Sequence, residues 1–411
     1  MTTSTESILP LSEIVQPESL EALADFLRQA SANGTPVYPL GGQTCLHYGM
    51  PARDTGFGLD LTTWTDGVEH PARDLTITAP AGLRWSKLQE LLSSEGQELP
   101  IDVPESDAAT VGGVIATGWN GPRRLAHGSL RDYVIGIEAM DGQGRAFRGG
   151  GRVVKNVAGY DFCKLLTGSL GSLGVITRVT FKVSPIAKHS QWLGYTVDSW
   201  DQAAQRTEEI LKSAIRPAVI GVASGPYWEA ATQFGAAAAA DQLLLAVRLE
   251  GLAEEVQWMH DHCDNVCKIP GSVIQGDAAS KCLEELVAFP GSTAAPLVLR
   301  AKVIASAAAP FAQAVREIDS DCSLWCDLGT GTIDVHFSAY PDQGLSKVLV
   351  GKLQPQAAKG HGHVRMLFSE SSTEVTSQVV WGNLQIPRDL MWKVKQEFDP
   401  ANILNRDRFV W

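Results

Sequence analysis

The hydrophobic positions of this chain change rhythm several times, and the changes mark out its elements. Leu20, Leu23, Ala24 and Leu27 recur at helical spacing behind Pro17, Glu18 and Ser19, and Asn33-Gly34 closes the run, which predicts a helix over 17–34. A short apolar strand, Val37 to Leu40, runs directly into Gly41-Gly42-Gln43-Thr44-Cys45-Leu46-His47-Tyr48-Gly49. Residues 59–61 and 75–79 are strand-like. Trp85, Leu88, Leu91 and Leu92 return to helical spacing before Gly96, and an extended, proline-punctuated stretch occupies 99–104. Val134 to Met140 reads as a strand, with Asp141-Gly142-Gln143-Gly144 as a turn before Arg145-Ala146-Phe147.

The stretch Gly149 to Val183 has the most distinct pattern. Phe162, Leu165 and Leu166 stand at helical spacing, Gly168, Gly171 and Gly174 follow three apart, and then a strict period of two begins. Val175, Thr177, Val179, Phe181 and Val183 fall on one face and Ile176, Arg178, Thr180 and Lys182 on the other, which predicts a half-buried strand. Glycines at this spacing free the backbone to take positive φ and to lie close to a flat or charged ligand; a tight connection between packed elements has the same composition. The order is helix, glycine loop, strand, which is not the order of dinucleotide folds or P-loops.

Two other stretches crowd small residues and hydroxyls around backbone. The loop Gly41 to Leu46 offers consecutive N–H groups and no acid, which suits a phosphate or pyrophosphate, and a bland turn between strands has the same appearance. Thr110-Val111-Gly112-Gly113-Val114-Ile115-Ala116-Thr117-Gly118 leaves a backbone that something can approach closely. Gly128-Ser129-Leu130-Arg131-Asp132 precedes the strand at 134–140.

Beyond Ser184-Pro185 the pattern shifts to alternating strands (192–197, 218–223, 243–249, 297–304, 333–337, 364–368) and helices (203–214, 253–263, 311–318), which predicts a second, α+β domain. Near the end, 392–398 is helical with Val394 and Phe398 four apart, Asp399-Pro400 stops it, and Arg406, Arg408, Phe409 and Trp411 close the chain. The simplest reading of that end is a packed terminal helix.

Composition narrows the function classes. A chain of 411 residues calls for two or three structural units. Thirty-four basic against 46 acidic residues leave a net charge of −12, which argues against nucleic acid or an anionic membrane surface as the main partner, Arg123-Arg124 being a local exception. The first residues lack the basic and apolar regions of an export signal, and the apolar window 236–249 is interrupted by Asp241 and too short to span a bilayer. The expectation is a cytoplasmic protein with no membrane insertion of its own. Seven sparse cysteines fit a reducing compartment. Cys263/Cys267 and Cys322/Cys326 each share a face; with His260 and His262 nearby a metal site is conceivable, but the spacing is not that of zinc sites and the core reading is preferred, so no metal is expected.

The motifs in order carry a resemblance. The helix–strand start, PLGGQTCLHYG, PAGLRWSKLQELL, ATVGGVIATGWNGPRRLAHGSLRDYVIGIEAM, GGRVVKNVAGYDFCKLLTGSLGSLGVITRVTFKV and KVKQEFDPANILNRDRF together resemble the FAD-binding domain of the vanillyl-alcohol oxidase and p-cresol methylhydroxylase superfamily, and within it the glycolate oxidase E-subunit family. The resemblance implies an α+β fold: a two-subdomain FAD-binding domain over 1–185, an α+β cap domain over 186–380, and a segment, 381–411, that returns to the first domain. It also implies FAD. Gly41, Gly42, Gln43, Thr44, Cys45 and Leu46 resemble the pyrophosphate loop, and Thr110, Gly112, Gly113 and Ala116 the second flavin-contacting stretch. Gly128, Ser129 and Asp132 would lie along the cofactor, and Gly171, Gly174, Val175 and Ile176 would meet it through backbone. Some relatives attach the flavin to a histidine of the first loop; Thr44 holds that position here, with Cys45 and His47 beside it, so the expectation is non-covalent FAD.

The implied activity is that of an FAD-binding subunit of a glycolate or other 2-hydroxy-acid oxidase or dehydrogenase complex, working beside flavoprotein and iron–sulfur subunits. A self-sufficient oxidoreductase on another alcohol or hydroxy acid, and a non-catalytic assembly subunit, are the alternatives. Oxidising a hydroxy acid needs a base, and a cation for the carboxylate. Arg123, Arg124, Arg300, Arg365 and Arg388 are the candidate cations and His336, His361 and His363 the candidate bases; His361-Gly362-His363 is read as a surface turn. No catalytic residue is assigned. The histidine metal motif of related catalytic subunits has no counterpart in this sequence.

Overall fold

The structure, a computed structural model, describes residues 8–152, 159–230, 234, 243–382 and 387–410. Outside that range lie the first seven residues, 153–158 of the glycine-rich stretch, 236–242 of the apolar window, and Trp411. The chain divides into two compact units, one of Met1–Asn120, Ser129–Ile186 and Gln385–Trp411, the other of Gly121–Gly128 and Ala187–Leu384. The short excursion Gly121–Gly128, which the sequence assigned to the first domain, thus groups with the second unit.

The first unit is built from two larger sheets and a two-stranded one. β1 (Leu11–Val15), β2 (Val37–Leu40) and β3 (Gly56–Asp60) form a parallel sheet in the order β1-β3-β2. Between β1 and β2 runs α1 (Leu20–Asn33); Ser19 caps its start through the Ala22 N–H and Gly34, at φ 63°, ends it. β4 (Thr76–Pro80) leads to α2 (Trp85–Ser93), whose apolar side is buried through Trp85, Leu88 and Leu92, and to the short β5 (Gln97–Glu98). α3 (Val111–Thr117) and, after the excursion that holds α4 (Arg124–His127) and groups with the second unit, α5 (Leu130–Tyr133) precede β6 (Val134–Met140) and β7 (Ala146–Gly150). α6 (Phe162–Leu166) then opens the glycine loop that ends in β8 (Val175–Lys182), and the order of the second sheet is β4-β8-β6-β7.

β8 departs from its predicted half-exposure. It is flanked by β4 and β6, and Ile176 and Thr180 on the face expected to be polar are buried as well. The polar members of that face find partners: Thr180 Oγ1 lies 2.9 Å from Thr78 Oγ1, Arg178 donates to the Gly67 carbonyl at 2.8 Å, and the Lys182 ammonium stands over the Tyr133 ring. Two-sided burial is what an interior strand adopts once its hydroxyls are paired.

β9 (Ser184–Pro185) pairs with β5. The second unit then holds one antiparallel sheet of eight strands: β10 (His189–Val197), β11 (Val219–Ser224), β12 (Leu243–Gly251), β13 (Ser272–Gln275), β14 (Leu297–Lys302), β15 (Ser323–Asp327), β16 (Thr332–His336) and β17 (His363–Ser369), in the order β13-β10-β12-β11-β15-β16-β14-β17. Its helices include α7 (Trp200–Lys212), α8 (Pro226–Ala230), α9 (Ala253–Cys267), α10 (Asp277–Ala288), α11 (Ala305–Arg316), α12 (Gln354–Lys359) and α13 (Ser377–Trp381). The fold is therefore α+β, with the second unit a sheet-and-helix domain of its own. Cys163, Cys263, Cys267, Cys282, Cys322 and Cys326 are buried free thiols, pushed up by burial to about 11 or 12 in every case but Cys326, which rises well above the usual thiol range. Such thiols are packing atoms. No group of three or more potential metal ligands is found among the described residues, and no described helix is long and apolar enough to cross a membrane.

The chain end returns to the first unit through α14 (Arg388–Phe398) and a turn that bridges Leu404 to Val37. Lys395 and Asp399, four apart, are both fully buried. The Lys395 ammonium donates to Asp399 at 2.6 Å, to the Ser172 carbonyl at 2.8 Å and to the Leu404 carbonyl at 3.0 Å. Asp399 in turn accepts the N–H groups of Ile403 and Leu404. The pair ties α14, the terminal turn and the glycine loop together at one point.

Candidate functional site

β2 ends at the floor of a groove, and the residues after it explain the groove's shape. A Cβ on Gly41 would stand 2.3 Å from Thr110 Oγ1 and one on Gly42 1.8 Å from the Ala108 carbonyl, so the loop can lie against the start of α3 only as glycine. Gln43 follows at φ 60°, the left-handed backbone conformation that anion nests use. Thr110 caps α3 by accepting the Gly113 N–H at 3.3 Å. On the far side, Leu170 and Gly171 are both left-handed, at φ 52° and 66°, and Leu170 is held there by its N–H bond to the Ala116 carbonyl at 2.7 Å. Gly174 has no positive φ. Its need is spatial, since a Cβ would stand 3.1 Å from the Met140 carbonyl and 3.4 Å from Phe147.

Two adjoining cavities occupy the groove. The larger is lined by Gly41, Gly42, Gln43, Thr44, Cys45, Leu46, Thr110, Gly113 and Ala116, with the Tyr48 and Trp119 rings stacked 6.0 Å apart at one side. The smaller adds Gly112, Gly171, Gly174, Val175 and Ile176. Pro39, Gly41, Thr110, Gly113, Ala116, Leu170 and Asn405 line both and form the waist between them. Two chambers joined at a glycine-lined waist match a dinucleotide, whose two ring systems are joined through a pyrophosphate.

Of the residues singled out from sequence, Gly128, Ser129 and Asp132 line neither cavity. Gly128 belongs to the second unit, and the Asp132 carboxylate accepts the Ser129 N–H and hydroxyl at 2.8 and 2.6 Å in a cap on α5. His47 also stays off the lining; its ring packs edge-on against Tyr48, and burial, reinforced by Arg408, drops it to about 4, which keeps it neutral.

The groove residues that went unassigned in the sequence include Leu170, Asn405 and Arg408. Arg408, buried, donates to the carbonyls of Leu46, Tyr48 (2.8 Å) and Met50 (3.2 Å) and thereby shapes the first loop. Burial lowers it to about 10, still a cation at neutral pH, and its bonds are to neutral carbonyls. No Asp or Glu lines either cavity among the described residues. Arg408 therefore leaves the groove with positive charge beside the nest, which favours a diphosphate. The residues present fit FAD: the glycine waist and nest would hold its pyrophosphate, and the chambers its rings.

The second unit carries a separate polar cluster. Cross-strand register sets Arg300 beside Arg365 and Asp334, and Lys302 beside His363 and Thr332. Asp334 takes Arg300 in a two-pronged pair at 2.6 and 3.0 Å, and the Arg365 guanidinium stacks on Trp381. Burial, together with the charges of Arg124, Arg300 and Arg365 against the single carboxylate of Asp334, pushes Lys302 down to about 7. Burial, with the charges of Arg365 and Lys302, holds His363 near 4. Arg124 comes from the excursion Gly121–Gly128, which a second network anchors: Glu250 pairs with Arg248 at 2.6 Å, His127 at 3.1 Å and Arg123 at 3.7 Å. Burial would raise the Glu250 carboxyl, but these partners hold it at about 2. His336, buried, bonds the Phe289 carbonyl at 2.6 Å and stacks on Phe289, while Arg388 lies on α14 in the first unit.

The family models that this chain matches are those of FAD-linked proteins. Residues 11–150 match the FAD binding domain family, and residues 387–408 match the C-terminal domain of FAD linked oxidases. Glycolate oxidase subunit GlcE of Escherichia coli is 40% identical over 166 residues, which are 40% of this chain and 47% of that one. Glycolate oxidase subunit GlcD of Bacillus subtilis is 29% identical over 270 residues, 65% of this chain and 56% of that one. The chain spans about half the length of these curated relatives. Among solved structures, alkyldihydroxyacetonephosphate synthase superposes with a TM-score of 0.64 over 95% of this chain and 75% of its own, at 16% identity, a likeness of fold alone.

Proposed function

We propose, from an FAD-binding domain and an FAD-linked oxidase terminal segment on one chain, that this protein is the FAD-binding subunit of a cytoplasmic 2-hydroxy-acid dehydrogenase complex of the glycolate oxidase type. Its partners in this reading are a second flavoprotein and an iron–sulfur subunit. FAD is the cofactor of this domain type, bound here without a covalent link, and when bound it supplies a two-electron acceptor for the substrate's α-hydrogen.

The chain's own residues divide the remaining work. Gly41, Gly42, Gln43 and Thr110 hold the diphosphate, with Arg408 fixing the loop and adding charge. In the second unit, Arg300, Lys302 and Arg365 take the substrate carboxylate, with Arg124 beside them. The observation that carries this assignment is the charge surplus around Lys302, three guanidiniums against one carboxylate. Burial and this repulsion together depress Lys302; a bound carboxylate offsets the repulsion, so it raises that lysine and draws in a proton. Below about pH 7 Lys302 is already charged; above it, binding must recharge it. The affinity for a small 2-hydroxy acid therefore falls as pH rises through 7.

Titration of the flavin-loaded protein with glycolate by calorimetry, at several pH values and in two buffers of different ionisation enthalpy, tests this. We expect proton uptake above pH 7 and a roughly tenfold to hundredfold loss of affinity in Lys302→Met, the worth of one charge-assisted hydrogen bond, about 1.5–3 kcal/mol. Binding that is pH-independent and unchanged in the variant would remove this cluster from the substrate site.

A further inference from the structure

We infer that Asn405 is a cofactor-binding residue: its side-chain carbonyl accepts a hydrogen bond from a sugar-type hydroxyl of FAD at the waist of the groove, an inference that rests on the flavin reading of that groove. Asn405 lines both cavities and is only 8% exposed. Its amide nitrogen donates to the Leu170 carbonyl at 2.5 Å, and its backbone N–H donates to the Val37 carbonyl at 2.9 Å. Because the nitrogen end is committed to a carbonyl, the orientation of the amide is fixed. The oxygen end is then the one without a partner, and Asn405 Oδ1 is a buried acceptor with no hydrogen bond.

A buried carbonyl left unpaired costs about 1–3 kcal/mol. The backbone accounts for part of the residue's identity: Asn405 sits at φ 43°, where asparagine is tolerated better than most side chains. That explains why an asparagine can stand here. It does not explain an oxygen buried without a donor, and glycine would meet the backbone demand without that cost.

A ligand in the groove can carry the donor that completes Oδ1, and its chemistry is constrained. Pyrophosphate oxygens only accept hydrogen bonds and are anionic, so they cannot face Oδ1. The groups flanking the pyrophosphate in FAD, the ribityl chain and the adenosine ribose, carry hydroxyls that donate without bringing charge. The missing Cβ of Gly171 gives Asn405 its seat, since an added Cβ would stand 3.3 Å from the amide nitrogen. The terminal segment, usually a passive end, is by this account the last wall of the site.

The test titrates flavin-free protein with FAD, with FAD lacking a ribityl hydroxyl, and with FAD built on 2′-deoxyadenosine, following flavin fluorescence. On the wild-type chain we expect one of the two deoxy compounds to bind about tenfold more weakly than FAD, which identifies the sugar. Asn405→Leu should bind FAD about tenfold more weakly and no longer distinguish it from that compound. Unchanged FAD binding by the variant, continued discrimination by it, or equal binding of all three ligands by the wild type overturns the role of Asn405. The wild-type comparison decides the matter even if the variant does not fold. A wild-type chain that binds no FAD at all overturns the flavin reading, and this inference with it.

Discussion

Two lysines, the fully buried Lys395 in the first unit and the half-buried Lys302 in the second, show how the same side chain does opposite work. Lys395 has a carboxylate and two carbonyls within hydrogen-bond distance, and its partner Asp399 accepts two further N–H groups. Every charge in that cluster is answered from within the fold. Lys302 instead stands among Arg124, Arg300 and Arg365 with one carboxylate nearby, already engaged by Arg300. A balanced buried pair holds structure together, while a surplus of like charge is a strain that an anionic ligand relieves.

The largest effect should come from breaking the balanced pair. Lys395→Met leaves Asp399 charged and buried, and we expect a loss of about 3–5 kcal/mol in denaturant unfolding. The loss should be accompanied by release of the terminal turn from the glycine loop, seen as faster amide exchange at Ile403 and Leu404. A variant as stable as wild type would show that the pair does not hold the two segments together.

What the sequence could and could not reveal follows the same division between local and distant causes. α1, α2, β6 and the glycine loop before β8 were legible because each is written in local periodicity or in glycine spacing. β15 was not, because all five of its residues are buried and the alternation that betrays a strand is absent. α10 was overlooked although Ala279, Cys282 and Leu286 stand at helical spacing, its signal diluted by polar neighbours. The first loop, the α3 stretch and the glycine ladder were read from composition, and the structure brings all three into one groove. Asn405 and Arg408 lie more than 200 residues from the loops they complete, and no local pattern marks them. The sequence hint was the resemblance of KVKQEFDPANILNRDRF, which implied a terminal segment that returns to the first domain.

A smaller effect sharpens the comparison at the point where the balanced cluster meets the groove. Gly171, next to the Ser172 carbonyl that Lys395 binds, has φ 66° and a tight approach to Asn405. Gly171→Ala should cost about 1–2 kcal/mol from the left-handed backbone alone and weaken FAD retention further. Full stability and full yellow colour in that variant would mean the loop can rearrange without the cofactor noticing.

The smallest effect, and the one of opposite sign, belongs to the surplus cluster. Lys302→Met removes a charge that its neighbours repel, so its unfolding free energy below pH 7 should match wild type or exceed it by about 1 kcal/mol. The sign follows from Lys302 being held well below an ordinary lysine: its charged form disfavours the fold, and the penalty fades as pH rises above about 7. Destabilisation comparable to that of Lys395→Met would erase the distinction between the two clusters.

A cofactor held by contacts alone in the groove between Gly41 and Gly174 is what the other assignments depend on. Acid precipitation of the purified chain, followed by flavin quantification in pellet and supernatant, tests that most directly. The prediction is about one FAD per chain, all of it in the supernatant. Flavin retained in the pellet would contradict the non-covalent site, and a chain that carries no flavin and takes none up would contradict the groove's assignment altogether.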